Sequence, residues 1–287
     1  MSLERGQQFL RQLAGVHHDL PFSPKILQRL FSQTGQESTA SLHDIAETIA
    51  PDQGLTTRLL AVANSAFYGL QSQVTSVHRA ATVLGIKDIR NIVMAVGVHG
   101  MLKGYTLPEE LDLLAYWRHQ LTVGQTAFQL AAEAGRPERD NLFTAGLLHD
   151  LGKLIVAMHA PGDWLAIERL RQERGIPYRK AEDAYWGLEH GVVGALVLKS
   201  WDLPPDLHEP INWHHSPLAA PDYRQQALFL CLADMLVNLE SGGEPVPEKA
   251  ADALSEHLGL PFDRSQELAR DAAADEGIDQ FISEVMH

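Results

Sequence analysis

The segment Phe143-Thr144-Ala145-Gly146-Leu147-Leu148-His149-Asp150-Leu151-Gly152-Lys153 delivers an imidazole and a carboxylate side by side from an apolar run. A buried carboxylate without a partner is costly, so Asp150 calls for a cation or a hydrogen-bond network. Asp234 makes the same demand: it is the only charged residue in Leu228-Phe229-Leu230-Cys231-Leu232-Ala233-Asp234-Met235-Leu236-Val237, a helix apolar enough to be buried on most faces. Either it bonds locally or it meets metal. Imidazoles come from three further segments, Trp117-Arg118-His119, Glu189-His190-Gly191 and Trp213-His214-His215. The resulting mixed set of histidines and aspartates suits Fe, Mn, Zn, Co or Ni, and a carboxylate can bridge two such ions about 3.5 to 4 Å apart.

Other polar residues invite less. His17-His18, His43, His78, His99, His159, His257 and His287 have no second ligand in a matching frame, and a lone histidine is more often surface or core. His208-Glu209 lies shortly before the His214-His215 pair, where it would serve to orient a ligand imidazole. Asn64-Ser65 read as helix-end caps, and Gly191-Val192-Val193-Gly194 is too sparse for a nucleotide loop and suits close helix packing instead. Arg169, Arg171 and Arg174 read as a solvated helix face.

The elements that must position these groups are helices. Apolar residues recur at spacings of three and four, as in Ile45, Ala46 and Ile49 running on to Leu55, Leu59, Leu60 and Val62, while strand-like alternation is scarce. Pro and Gly punctuate the pattern at Pro51, Gly85, Gly135-Arg136-Pro137, Gly175-Ile176-Pro177, Pro204-Pro205 and Pro217. A clear break at Ser241-Gly242-Gly243-Glu244-Pro245 and a softer one at Gly104-Tyr105-Thr106-Leu107-Pro108 divide an N-terminal helix (1–11), an N-terminal helical lobe (12–104), a lobe carrying the chemistry (105–240) and a C-terminal cap (241–287). At 287 residues and 45% hydrophobic composition a real core is expected. The formal charge of −14 disfavours nucleic-acid phosphates and anionic membranes as partners. One cysteine, Cys231, excludes an internal disulfide and a cysteine-based zinc site; with no signal-peptide pattern and no long apolar span, a cytoplasmic location is expected.

In order along the chain, His119, then His149-Asp150, then Asp234 resemble the signature of the HD superfamily of metal-dependent phosphohydrolases. His149-Asp150-Leu151-Gly152-Lys153 is similar to the His-Asp-x-Gly-Lys of its HD-GYP branch, in which histidines matching His190, His214 and His215 complete a two-metal site. Leu20-Pro21-Phe22-Ser23-Pro24, Ile49-Ala50-Pro51-Asp52-Gln53-Gly54-Leu55-Thr56, Ala63-Asn64-Ser65-Ala66-Phe67-Tyr68-Gly69 and Val83-Leu84-Gly85 look like the HDOD domain. The resemblance covers roughly Gln12 to Val237. It implies an all-α, multi-helix HD-superfamily domain with an N-terminal helical lobe and a role in bacterial signal transduction. Many HDOD proteins have lost the HD ligands and act without catalysis, whereas here every ligand position is filled.

The resemblance further implies two divalent transition-metal ions, with Asp150 as bridge and His149, His190, His214, His215 and Asp234 as ligands. His119 is a ligand or a supporting partner. Were the site catalytic, Asp150 and Lys153 would act directly, Lys153 by neutralising a phosphate oxygen; Lys153 read alone is equally a cation at a helix C-terminus. Two departures bear on activity. The Gly-Tyr-Pro stretch of HD-GYP proteins is replaced by Ser216-Pro217-Leu218-Ala219-Ala220-Pro221, which argues against cyclic-di-GMP hydrolysis, and Ala115 stands where some relatives hold a third metal. A metal-binding signalling domain, an active phosphohydrolase on a nucleotide or cyclic nucleotide, and a scaffold with a vestigial site are the three functions to weigh. The partner would be a phosphorylated small molecule or a signalling protein; nothing in the sequence sets the oligomeric state.

Overall fold

The computed structural model describes residues 2–13, 22–34, 38–65, 68–136 and 139–286. Leu20-Pro21, Ala66-Phe67, Pro137, His17-His18 and His287 lie outside them. Among the described residues the regular structure is entirely helical, as the spacing of apolar residues predicts. Helix α1 (Ser2–Gln12) precedes α2 (Pro24–Thr34), α3 (Leu42–Ile49), α4 (Gln53–Ala63), α5 (Val77–Leu84) and α6 (Ile86–Met101). Then come α7 (Leu113–Glu133), α8 (Arg139–Leu148), α9 (Leu151–His159), α10 (Pro161–Arg174), α11 (Tyr178–Trp186) and α12 (His190–Ser200). The chain ends with α13 (Pro205–Trp213), α14 (Arg224–Ser241), α15 (Glu248–His257), α16 (Phe262–Ala273) and α17 (Gly277–Met286). None of these helices is long and apolar enough to cross a membrane.

Local chemistry sets many of the boundaries. Ser41 and Asp44 form a reciprocal capping box on α3, and the side chains of Asp52, Ser76 and Asp112 accept backbone N–H groups at the starts of α4, α5 and α7. Asn64 closes α4 and ties it to the loop before α5, donating to the carbonyls of Leu60 and Val74 and accepting from Val74 N–H at 2.7 Å.

The helices form two compact units that are not contiguous in sequence. One comprises 17–104, 201–204 and 275–287; its core is α6, which buries Ile89, Ile92, Val93, Met94, Val96 and Val98 and packs with α2, α4, α5 and α17. The other comprises 1–16, 105–200 and 205–274, and holds α1 and α7 to α16. Its axis is α7, flanked by α8, α14 and α16.

Two close backbone approaches shape this second unit. A Cβ on Gly146 of α8 would fall 2.4 Å from the Cα of Gly124 on α7, and a Cβ on Gly152 of α9 would fall 2.0 Å from the carbonyl oxygen of His190 on α12. Gly194, one turn along α12, faces Gly152 as well. Only residues without side chains allow helices this near, and each approach brings one ligand-bearing segment against another.

Candidate metal centre

His119 lies on α7 and Asp234 in the middle of α14, while His190 opens α12 and His214-His215 follow the end of α13. His149-Asp150 occupy the break between α8 and α9, where Asp150 leaves helical geometry (φ −98°, ψ 11°). Neighbours in sequence therefore both turn into one cluster from a break between helices, rather than riding one helix face.

All seven predicted residues meet in the second unit, in two clusters. The ligand atoms of His190, His214 and His215 lie within 4.8 Å of one another, as do those of His119, His149 and Asp150. Asp150 faces both. Its Oδ1 is 2.9 Å from His190 Nε2, whereas its Oδ2 is 3.5 Å from His149 Nε2 and 3.8 Å from His119 Nε2. Asp234 Oδ1 joins the second cluster, 3.2 Å from His119 Nε2 and 3.7 Å from His149 Nε2.

Whether these residues fit metal is decided by the outer ring nitrogens. His149 Nδ1 donates to the Gly146 carbonyl at 2.8 Å and His214 Nδ1 to that of Ile211 at 2.6 Å. His190 Nδ1 faces Glu182 Oε2 at 2.7 Å, and the same oxygen accepts the His190 backbone N–H. A proton fixed on Nδ1 leaves Nε2 with its lone pair turned inward, the arrangement that metal-binding histidines use. The Nε2 atoms of His149 and His214 are buried and have no hydrogen-bond partner. Nε2 of His190 and Nε2 of His215 lie 2.9 Å apart, so a proton or a shared cation must hold them together. The cluster fits divalent metal.

Electrostatics agree. Burial opposes ionisation of Asp150, but His149, Lys153 and His190 outweigh it and hold the carboxyl well below its usual range. Asp234 is held down in the same way, against burial, by His119 and His149. Burial and the neighbouring imidazoles push His214 down to about 3 and lower His215 as well, so both are neutral donors of a lone pair at neutral pH. His190 is opposite: burial disfavours its charge, yet Glu182 and Asp150 bring it up to about 10. A bound cation would take the place of that proton.

Lys153 stands in the first turn of α9, so the reading as a C-terminal helix cation does not hold. Its Nζ donates to Asp150 Oδ2 at 2.9 Å and reaches Glu244 Oε1 at 3.4 Å. Gln120 Nε2 is a second, weaker donor to Asp150 Oδ2 at 3.4 Å. His149 is 1% exposed, but His119 and Asp234 are 22% and 16% exposed and open the cluster onto a cavity of about 750 Å³. Trp164, Arg171, Tyr178, Glu244 and Arg270 contribute to its wall.

Sequence reasoning passed over several of these. Glu182 looks like a solvated helix residue, yet it is fully buried beneath His190. Glu244 sits in what reads as a simple break, and Arg171, assigned to a solvated face with Arg169 and Arg174, lines the cavity and pairs with Glu168 at 2.6 Å. His208 is buried, with Nδ1 3.5 Å from Glu209, and falls in neither cluster. Burial pushes the Cys231 thiol up to about 12, which keeps it protonated.

The HDOD domain family matches residues 20–217, more than two thirds of the chain. The chain belongs to the HDOD family. Of the candidate ligands only Asp234 lies beyond the matched HDOD span. An uncharacterized protein of Treponema pallidum (strain Nichols) is 26% identical over 239 residues, and the chain spans 83% of its own length but only 46% of that relative. Among solved structures, one described as a candidate signal transduction protein of Marinobacter aquaeolei VT8 has a TM-score of 0.81 at 22% identity, covering 100% of this chain and 66% of the other. A candidate phosphohydrolase of Shewanella amazonensis SB2B has a TM-score of 0.72 at 23% identity, covering 97% and 98%. At these identities the likeness is one of fold, and it is the all-helical fold that the HDOD resemblance implies.

Proposed function

We propose that this chain is an HDOD signal-transduction domain that holds two divalent transition-metal ions, one at His190, His214 and His215 and one at His119, His149 and Asp234, with Asp150 shared between them. The observation that carries this reading is Asp150 itself, buried and presenting one oxygen to each histidine cluster. Such ions, when bound, acidify a coordinated water and polarise a phosphoryl oxygen. The chain's own part is to supply and orient the ligands. Gly146 O, Ile211 O and Glu182 fix three imidazoles from behind, and Lys153 and Gln120 steady the Asp150 oxygen that faces the second cluster.

A phosphohydrolase reading has one observation in its favour: the cluster opens onto a cavity that also presents Lys153 and Arg171. Against it, the residues after the histidine pair are Ser216-Pro217-Leu218, with Leu218 68% exposed, and offer no polar recognition stretch. A phosphorylated small molecule or a signalling protein is the partner class this reading favours, and the net charge of −14 makes nucleic acid a poor one.

Elemental analysis of the purified chain beside Asp150→Ala and His214→Ala variants is the test. Two metal ions per chain are expected, with fewer in both variants while helical circular dichroism persists. Protein that takes up no Fe, Mn or Zn sinks the proposal. Turnover of model phosphodiesters in Mn or Fe buffer then separates hydrolase from signalling domain.

A further inference from the structure

We propose that the two metal positions are unequal: the cluster of His190, His214 and His215 keeps its ion, while the cluster of His119, His149 and Asp234 is an exchangeable position that Lys153 guards as a rival cation. The inference deepens the two-metal reading and rests on it. Asp150 does not rank the two, because it gives one oxygen to each. Nor does negative charge. Each cluster has one further carboxylate, Glu182 behind His190 at 2.7 Å and Asp234 at 3.2 Å from His119. What separates them is how far the protein has already satisfied the donors that an ion would need.

In the first cluster the lone pairs are unclaimed. Asp150 Oδ1 accepts no hydrogen bond, although His190 Nε2 lies 2.9 Å away, and His214 Nε2 has no partner. Both imidazoles are buried and backed, His190 by Glu182 and His214 by the Ile211 carbonyl. In the second cluster only His149 Nε2 is as free. Protein donors already sit on both carboxylate oxygens there. Lys153 Nζ donates to Asp150 Oδ2 at 2.9 Å, nearer than either imidazole of that cluster, and Asn238 Nδ2 donates to Asp234 Oδ1 at 2.8 Å. An ion bound to Oδ2 must displace the ammonium or tolerate it as a close neighbour, where water screens little. An ion in the first cluster meets the same carboxylate through Oδ1, to which Lys153 does not donate. His119 and Asp234 also face the cavity, which gives the second ion a way in and out. Glu244 Oε1, 3.4 Å from Nζ, is a second anchor for the lysine once Asp150 is taken. Glu244 donates its backbone N–H to the oxygen of Asn238 at 3.0 Å, the same side chain that serves Asp234. Filling the second position would thus be felt in the segment leading into α15, which makes that position a sensor of free divalent metal.

Chelator titration of the zinc-loaded full chain, read as zinc retained, tests it. In wild type one ion should be held at least about tenfold less tightly than the other. His214→Ala should lose the tightly held ion and Asp234→Asn the exchangeable one. Lys153→Met should tighten the exchangeable position about tenfold or more and leave the other nearly unchanged, whereas Lys153→Arg, which keeps the charge, should preserve the gap. Glu244→Gln should widen the gap, by leaving the ammonium to Asp150 alone. Two ions released with one affinity, or a Lys153→Met protein in which both tighten alike, overturns the inference and leaves the two-metal reading intact. If Lys153→Met fails to fold, Glu244→Gln decides, and a gap no wider than that of wild type overturns the inference. A chain that holds a single ion in saturating zinc, in wild type and Lys153→Met alike, overturns the two-metal reading itself.

Discussion

Gly152→Ala is the sharpest test of how the fold builds the cluster. The added Cβ would lie 2.0 Å from the His190 carbonyl oxygen, and 3.4 Å is the near limit of ordinary contact, so α9 and α12 must part by about 1.4 Å. The obstacle is backbone on both sides, which cannot swing away as a long side chain would. Overpacking of this kind costs about 3 kcal/mol, which for a unit of this size lowers Tm by roughly 6 to 12 °C. The same parting acts on the 2.9 Å approach of Asp150 to His190, because the two residues adjoin the two helices that separate. The variant should therefore melt early and lose metal first from the His190, His214 and His215 cluster. Thermal unfolding and metal stoichiometry report both effects. Gly162→Ala is the control, since nothing lies within 4 Å of a Cβ there and the position is exposed; it should be neutral. A Gly152→Ala protein that melts with wild type and binds the same metal would refute the argument.

Burial raises the Asp88 carboxyl from 3.8 to about 6, with Lys87 opposing, so the folded state holds a proton between about pH 4 and 6 that the unfolded state has released. Stability must fall as pH rises through that window, by at most about 3 kcal/mol before solvent screening is allowed for. Asp88→Asn should therefore raise Tm more at pH 8 than at pH 4, and equal shifts would refute the assignment. Phe9 is 3% exposed, with its ring 5.2 Å from that of the buried Trp186, so Phe9→Ala should cost about 3 kcal/mol in chemical denaturation. A loss below about 0.5 kcal/mol would show that α1 adds no packing.

Residues that break a local rule were the legible ones. Asp234 stands alone among apolar neighbours and Asp150 ends an apolar run, and each proves to be held by imidazoles. Helices announced themselves through the spacing of apolar residues, and the family through ordered short motifs. What stayed hidden obeys its local surroundings. Glu182 sits in a helix with several charged neighbours, where one more acid looks solvated; only tertiary packing puts it under His190. Gly152 and Gly194 gave no sign of which helix each would meet, because the approach joins segments distant in sequence. Glu244 was masked by the glycines and prolines around it, which mark a turn whether or not one of its side chains has work to do.

The candidate ligands are spread from position 119 to position 234, over three helices and two turns. A chain with a single cysteine has no disulfide with which to staple such separated segments. Ions held at this site would close several long loops at once and so restrict the unfolded chain, much as covalent cross-links do. Metal supply would then set the rigidity of the whole helical unit, and depletion alone, without any substrate, would be a message that a partner could read.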